Sequence, residues 1–444
     1  MKKYLTAPLE NTSIPKGIPY IIGNEAAERF SFYGMRAILI VFMTQHLLSA
    51  TGQTDYMSAD EAKGWFHLFV SAVYFTPLLG ALISDGVLGK YKTIITLSLV
   101  YTVGHFALAV DDSRLGLAIG LGLIALGAGG IKPCVSAHIG DQFSRTNSHY
   151  LPRVFGWFYF SINLGAFSST LLIPWVLQTY GSSIAFGIPG VLMLIATIIF
   201  WSGRYKFVHI PAGKKLFIKE AFSKQGLNTI AKLSIIYLFV AMFWALFDQT
   251  ASSWVIQAGK MDRSLLGIEL LPSQLQAVNP LLVMILIPLF SYQIYPKINK
   301  YFNLTPLRKI SIGMFVTVLA FSISAIIQQK IDAGLTPHVS WQILAYVILT
   351  SAEVMISITC LEFSYTQAPA KMKSFVMAFF MMSIAIGNLF TSAVNFFIIN
   401  EDGSSKLAGA DYFWFFTMLM LITSILFVFV AKAYKEKVHL QKAH

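Results

Sequence analysis

The chain has 444 residues, 56% of them hydrophobic and only 12% charged, with a formal net charge of +12 and a mean hydropathy of +0.64. A water-soluble domain carries about a quarter charged residues, so the composition excludes an ordinary soluble fold and points to helices in lipid. The positive charge does not call for nucleic acid, because Lys and Arg sit in short breaks between apolar runs and not in a tail or on one face.

Apolar stretches long enough to cross a bilayer, about 20 residues each, are predicted near residues 20–48, 63–84, 92–110, 115–140, 153–177 and 183–204. A second set follows near 232–257, 274–295, 308–328, 340–366, 373–399 and 411–434. The basic break at 205–231 divides the chain into an N-terminal six-helix bundle (1–204), a linker, and a C-terminal six-helix bundle (232–444). The side that holds both termini carries 24 Lys and Arg and the opposite side six. That bias predicts a multi-pass protein of the cell membrane (the inner membrane if bacterial) with both termini and the linker in the cytoplasm.

The first apolar stretch contains Glu25, Glu28, Arg29 and Arg36, unlike a secretory h-region, and is expected to stay in the mature chain. Cys134 and Cys360 lie inside apolar runs without metal-ligand spacing and read as core residues. Gly127, Gly129 and Gly130 follow no strand, so they read as a close helix contact and not as a phosphate loop. His105 and His138 are expected to be helix-packing donors. No nucleophile–base pair and no H-E-x-x-H is present, so neither an enzyme nor a metal site is expected.

Three basic residues remain at membrane depth, Arg29, Arg36 and Lys132, with the acids Glu25, Glu28, Asp248, Glu353 and Glu362. Each costs roughly 2.5–3.5 kcal/mol on insertion scales, so eight of them point to a wet or paired interior, the mark of a pathway. At 100° per residue Glu25, Glu28, Arg29, Tyr33 and Arg36 share an arc of roughly 140° on the first helix. A carboxylate held beside arginine is a candidate for reversible protonation, against the plainer reading of a static ion-pair network. All three bases lie in the first half, while Asp248, Glu353 and Glu362 lie in the second, so a zwitterion would find opposite charges for its two ends. Glu362 is nine residues from Glu353, half a turn round a regular helix, and is expected to serve another purpose near the cytoplasmic end.

The string E-x-x-E-R-F-x-x-Y-G at Glu25–Gly34 resembles the proton-dependent oligopeptide transporter family of the major facilitator superfamily. GALISDGVLGKYKT (80–93), GGIKP (129–133), FGWFYFSINLGAF (155–167), FWALFDQ (243–249) and LEFSYTQAP (361–369) extend the resemblance along nearly the whole chain, in the family's order. It implies an all-α membrane fold of about twelve helices in two halves, and a proton-coupled symporter that imports di- and tripeptides by alternating access. Protons would be the coupling ion, with no cofactor. Glu25, Glu28 and Arg29 would form the proton-coupling cluster. Arg36 and Lys132 would attract the substrate carboxylate, Glu353 would hold the amine, and Tyr33, Tyr74, Asn163, Trp244 and Asn279 would contact the peptide. Asp248 would pair with Arg36 as an extracellular gate. His67 matches a histidine of animal members that is linked to proton handling, and a polar helix contact explains it equally well. The alternative on the same fold is an importer of nitrate or drug-like anions, which predicts a histidine in place of part of the Glu–Arg cluster.

Three departures from the family pattern stand out. Phe32 occupies the usual place of the first tyrosine of a pair. The linker is too short for the extra helix pair of many bacterial members, and residues 328–340 leave no room for the extracellular domain of animal members.

Overall fold

In lipid every backbone N–H and C=O must be satisfied within the chain, so long apolar runs have no stable alternative to helix. The computed structural model describes residues 4–8, 10, 12–212, 224–367 and 373–434. The linker lysines Lys214, Lys215 and Lys219, the end of the LEFSYTQAP motif at Ala368 and Pro369, and Lys435, Lys437 and Lys442 of the tail lie outside the described residues.

Among the described residues, twelve long helices occur in chain order. The first six are α1 (Ile18–Gln45), α2 (Ala59–Ile83), α3 (Lys90–Val110), α4 (Arg114–Gly140), α5 (Leu151–Tyr180) and α6 (Ser182–Ser202). The others are α7 (Lys224–Phe247), α8 (Val278–Leu289), α9 (Pro306–Asp332), α10 (Ser340–Glu353), α11 (Lys373–Phe397) and α12 (Ala410–Ala433). Eleven spans are long and apolar enough to cross a membrane. Helix α1 is the twelfth, set apart by its four charged residues. The protein is therefore a multi-pass membrane protein, as the hydropathy pattern predicts. Between α7 and α8 a two-residue hairpin, β1 (Ser264–Leu265) and β2 (Ile268–Glu269), turns at Leu266 and Gly267, both with positive φ.

Several helices are not uniform. Helix α2 runs into a π-helical turn at Ser84–Leu88, and α7 ends in a 3-10 turn at Asp248–Ala251. Helix α8 continues through a π-helical turn at Phe290–Ile294 into Tyr295–Asn299. Helix α10 continues through Val354–Ile358 into Thr359–Gln367. Such i→i+5 turns inside long helices concentrate at functional sites.

The chain divides into two compact units: Met1–Met57 with Ala72–Leu216, and Ser58–Ser71 with Phe217–His444. The first unit packs α1 on α5 and α6, and α3 on α4 and α6. The second packs α7 on α11, and α9 on α10 and α12. The first part of α2 belongs with the second unit, where the Ser71 hydroxyl donates to Ala385 O at 2.8 Å and the Ser392 hydroxyl to Gly64 O at 2.8 Å. Lipid gives little hydrophobic drive for helices to associate, so contact depends on backbones approaching closely. A Cβ on Gly80 of α2 would lie 2.2 Å from Gly130 O of α4, and one on Gly387 of α11 would lie 2.1 Å from Ala241 O of α7.

Helix separation in the first unit is therefore set at Gly80. Gly80→Ala should destabilise the folded protein by about 1–3 kcal/mol, the usual cost of overpacking. Gly122→Ala, where a Cβ meets nothing within 4 Å, should not. Thermal melts of the two variants in one detergent check this. Equal midpoints would remove the close contact as the determinant.

Candidate functional site

Helix α1 carries the first half of the site. Its amphipathic stripe is polar yet faces inward: Glu25 and Glu28 are each 1% exposed and Arg36 is 9% exposed. Two buried carboxylates one turn apart repel each other unless a cation stands between them, and Arg29 fills that position. Its Nε donates to Glu25 Oε1 at 2.7 Å and lies 3.2 Å from Glu28 Oε2. Lys132 of α4 is buried beside this stripe, 8% exposed. Its ammonium sits 4.2 Å from the centroid of Phe32 and 5.4 Å from that of Tyr74. An aromatic face attracts a desolvated cation through its quadrupole. Phe32 therefore keeps the ring that Lys132 needs and gives up only the phenol.

The sequence-predicted residues of the first unit thus converge, with one exception. Tyr33 is partly buried on the α1 stripe, and Tyr74 of α2 is partly buried with its ring 5.4 Å from the Lys132 ammonium. Asn163 donates its side-chain N–H to Tyr159 O of its own helix at 2.9 Å, so its amide is turned back along α5. Tyr101 of α3, not singled out in the sequence, is fully buried in the first unit. His105 is not a packing donor: its ring lies 4.8 Å from that of Tyr101, and neither nitrogen has a hydrogen-bond partner among the described residues. The His138 ring packs on Phe200 and Phe207, and among the described residues its hydrogen bonding is limited to a 3.5 Å contact from Nδ1 to Gln142 Nε2.

The second unit holds two polar groups. In one, Asn279 at the start of α8 donates Nδ2 to Glu353 Oε2 at 2.7 Å and to Thr350 Oγ1 at 3.1 Å. Asn279 is therefore committed to orienting the Glu353 carboxylate. Trp244 of α7 is buried between Phe243 and Phe247, with ring centroids 5.0 and 5.5 Å away. The expected half-turn between Glu353 and Glu362 does not hold, because the π-helical turn Val354–Ile358 lies between them and breaks the count of 100° per residue. Glu362 instead lines a 450 Å³ cavity with Tyr295 and Lys309.

The other group is a buried chain. Asn388 of α11 donates Nδ2 to Asp248 Oδ2 at 2.7 Å, and its Oδ1 lies 2.7 Å from His67 Nδ1. His67 Nε2 lies 2.9 Å from Ser252 Oγ. The Asn388 carbonyl can only accept, so Nδ1 carries a hydrogen and Nε2 is left to the serine. Asn388 and Ser252 were missed in the sequence, although an asparagine within an apolar run is itself a signal of a polar helix contact.

Cys134 and Cys360 are buried and unbridged. Among the described residues no three His, Cys, Asp or Glu side chains are placed to hold a metal ion.

A sequence profile described as the POT family matches residues 91–225 and 216–415. The chain is 38% identical over 365 residues to "Peptide transporter family 1" of Drosophila melanogaster, covering 72% of this chain and 48% of that protein. It is 35% identical over 407 residues to solute carrier family 15 member 2 of Mus musculus, covering 80% of this chain and 55% of that one. The chain thus spans about half the length of these curated relatives. A crystal structure of an auto-inhibited POT family peptide transporter superposes with a TM-score of 0.88 at 35% identity, covering 97% of this chain and 99% of that one. The POT family transporter PepTSo, solved in meso, gives a TM-score of 0.85 at 36% identity, covering 95% and 98%. The profile match over most of the chain and the twelve-helix fold lead to one assignment: the chain belongs to the POT family, on the major facilitator fold.

Proposed function

We propose that the protein is a proton-coupled symporter that imports di- and tripeptides across the cell membrane by alternating access, with both termini in the cytoplasm. The observation that carries the reading is the charge group of the first unit, Glu25 and Glu28 with Arg29 between them and Lys132 beside. Fully ionised, these four charges balance. A proton on either glutamate leaves an excess of +1, which a substrate carboxylate neutralises in surroundings where an unbalanced charge is expensive. Proton and anion binding therefore favour each other, and by linkage the effect is mutual. That is the thermodynamic core of symport.

The second unit supplies the complementary end. Glu353, held by Asn279, offers a carboxylate to an ammonium, and Lys132 and Arg36 take the peptide carboxylate. The relatives are named as peptide transporters, which supports peptides over nitrate or drug-like anions. An anion without an amine would leave Glu353 unanswered. The lysine and arginine bias of 24 to six supports cytoplasmic termini.

Coupling through α1 is tested with Glu28→Gln and Glu25→Gln in proteoliposomes. Both variants should still exchange labelled dipeptide across the membrane but lose accumulation driven by a proton gradient. Wild-type uptake should also respond to voltage, since 100 mV contributes about 2.3 kcal/mol per charge moved. Gradient-driven accumulation at the parental level in both variants would remove the glutamates from coupling.

Recognition of the two peptide ends makes a separate prediction. Glu353→Gln should weaken binding of free-amine dipeptides by about 1.5–3 kcal/mol, the usual worth of a hydrogen bond to a charged group. It should matter much less for N-acetylated dipeptides, which lack the ammonium. Lys132→Ala should show the mirror pattern with C-terminal amides. Competition uptake with the four substrate–variant pairs measures it. If acetylation costs Glu353→Gln as much as it costs the parent, Glu353 does not hold the amine.

A further inference from the structure

At the end of the second unit where α9 begins and α12 stops, a cavity of about 710 Å³ opens between these two packed helices. Its charged lining is Arg308 from α9 and Lys432 from α12, and no acidic side chain among the described residues lines it. Arg308 is fixed in place: its Nη1 donates to Asn303 O at 2.5 Å, and its guanidinium lies 4.7 Å from the Phe302 ring centroid. Thr305 caps α9 by accepting from Arg308 N at 3.4 Å, so the positive end of that helix adds to the two cations.

The same two helices change character going inward. Arg308, Phe315 and Leu319 follow i, i+7, i+11 spacing and share a face of α9, while Lys432, Val428 and Ile425 follow i, i−4, i−7 on α12. Phe315, Leu319 and Ile425 are exposed large apolar side chains. From Arg308 to Leu319 this apolar face runs roughly 16 Å at 1.5 Å per residue. A pair of cations heading a long apolar stripe matches one chemistry, an anionic head group joined to an acyl chain. A soluble anion has no use for the stripe, and a neutral lipid none for the cations.

We propose that this cavity is a binding site for an anionic phospholipid, with the phosphate held by Arg308 and Lys432 and an acyl chain laid along Phe315, Leu319 and Ile425. Basic pockets between membrane helices bind such head groups through charge that is poorly screened there. Neither Glu353 nor His67 lines the cavity, and the proposal does not depend on which solute the protein carries.

Native mass spectrometry of the full chain in detergent, titrated with phosphatidylglycerol or phosphatidylcholine, tests the proposal. Phosphatidylglycerol should be retained at least about tenfold better. Retention should fall about fivefold for either Arg308→Ala or Lys432→Ala, and about thirtyfold for both together. Arg308→Lys combined with Lys432→Arg should keep it, which separates loss of charge from loss of folding. Lys297→Ala with Lys300→Ala, the same charge change outside the cavity, should leave retention unaltered. Equal retention of the two lipids, or an equal loss in the Lys297/Lys300 variant, overturns the site. Displacement by glycerol phosphate at matched concentration assigns the cavity to a soluble anion, and retention gained only on deleting residues 435–444 assigns it to the tail. Either result also overturns the proposal.

Discussion

Arg29 held between Glu25 and Glu28 is the interaction on which the rest of the protein turns. Removing a charge from water costs several kcal/mol after relaxation, and the cost is recovered only where partners and geometry are good. One guanidinium between two carboxylates hydrogen-bonds Glu25 and leaves Glu28 with an ion-pair contact but no hydrogen bond among the described residues. Lys132, resting on Phe32 and Tyr74, adds a cation whose balance depends on what else enters. In the proposed coupling, a proton on either glutamate leaves the cations in excess, and an anion then restores the balance. A fully paired network would be more stable and would do nothing.

The second unit answers with acids held by amides. Asn279 fixes Glu353, and Asn388 fixes Asp248 while also accepting from His67. A neutral amide orients a carboxylate without cancelling its charge, the opposite device from the arginine on α1. For Glu353 this suits the proposed meeting with a substrate ammonium. The π-helical turn that begins directly after Glu353 loosens the ladder of α10 at that point.

Much of this was legible in the sequence because lipid leaves so few choices. Twelve apolar runs of bilayer length could only be helices, and the polar stripe on α1 followed from counting 100° per residue. The resemblance in Glu25–Gly34 then named the residues worth locating. Contacts that join distant parts of the chain were not legible. Nothing in the string says that His67 meets Asn388, 321 positions away, or that Asn279 donates to Glu353. Phe32 stands in the sequence only as a departure from the usual tyrosine, and its contact with the Lys132 ammonium is visible only in the fold. The half-turn between Glu353 and Glu362 failed for a local reason, since hydropathy carries no mark of a π-helical turn. The assignment of residues 58–71 to the second unit was equally hidden, because α2 is one continuous helix and only its neighbours divide it.

The central claim is that proton entry and peptide entry strengthen each other through the same buried charges. Uptake of a labelled dipeptide by liposomes holding the purified chain, with and without an inward proton gradient, tests it most directly. The account predicts accumulation above the external concentration while the gradient lasts, and collapse to equilibration when an uncoupler is added. Dipeptide uptake that ignores the gradient, or nitrate uptake where dipeptide is excluded, would contradict it.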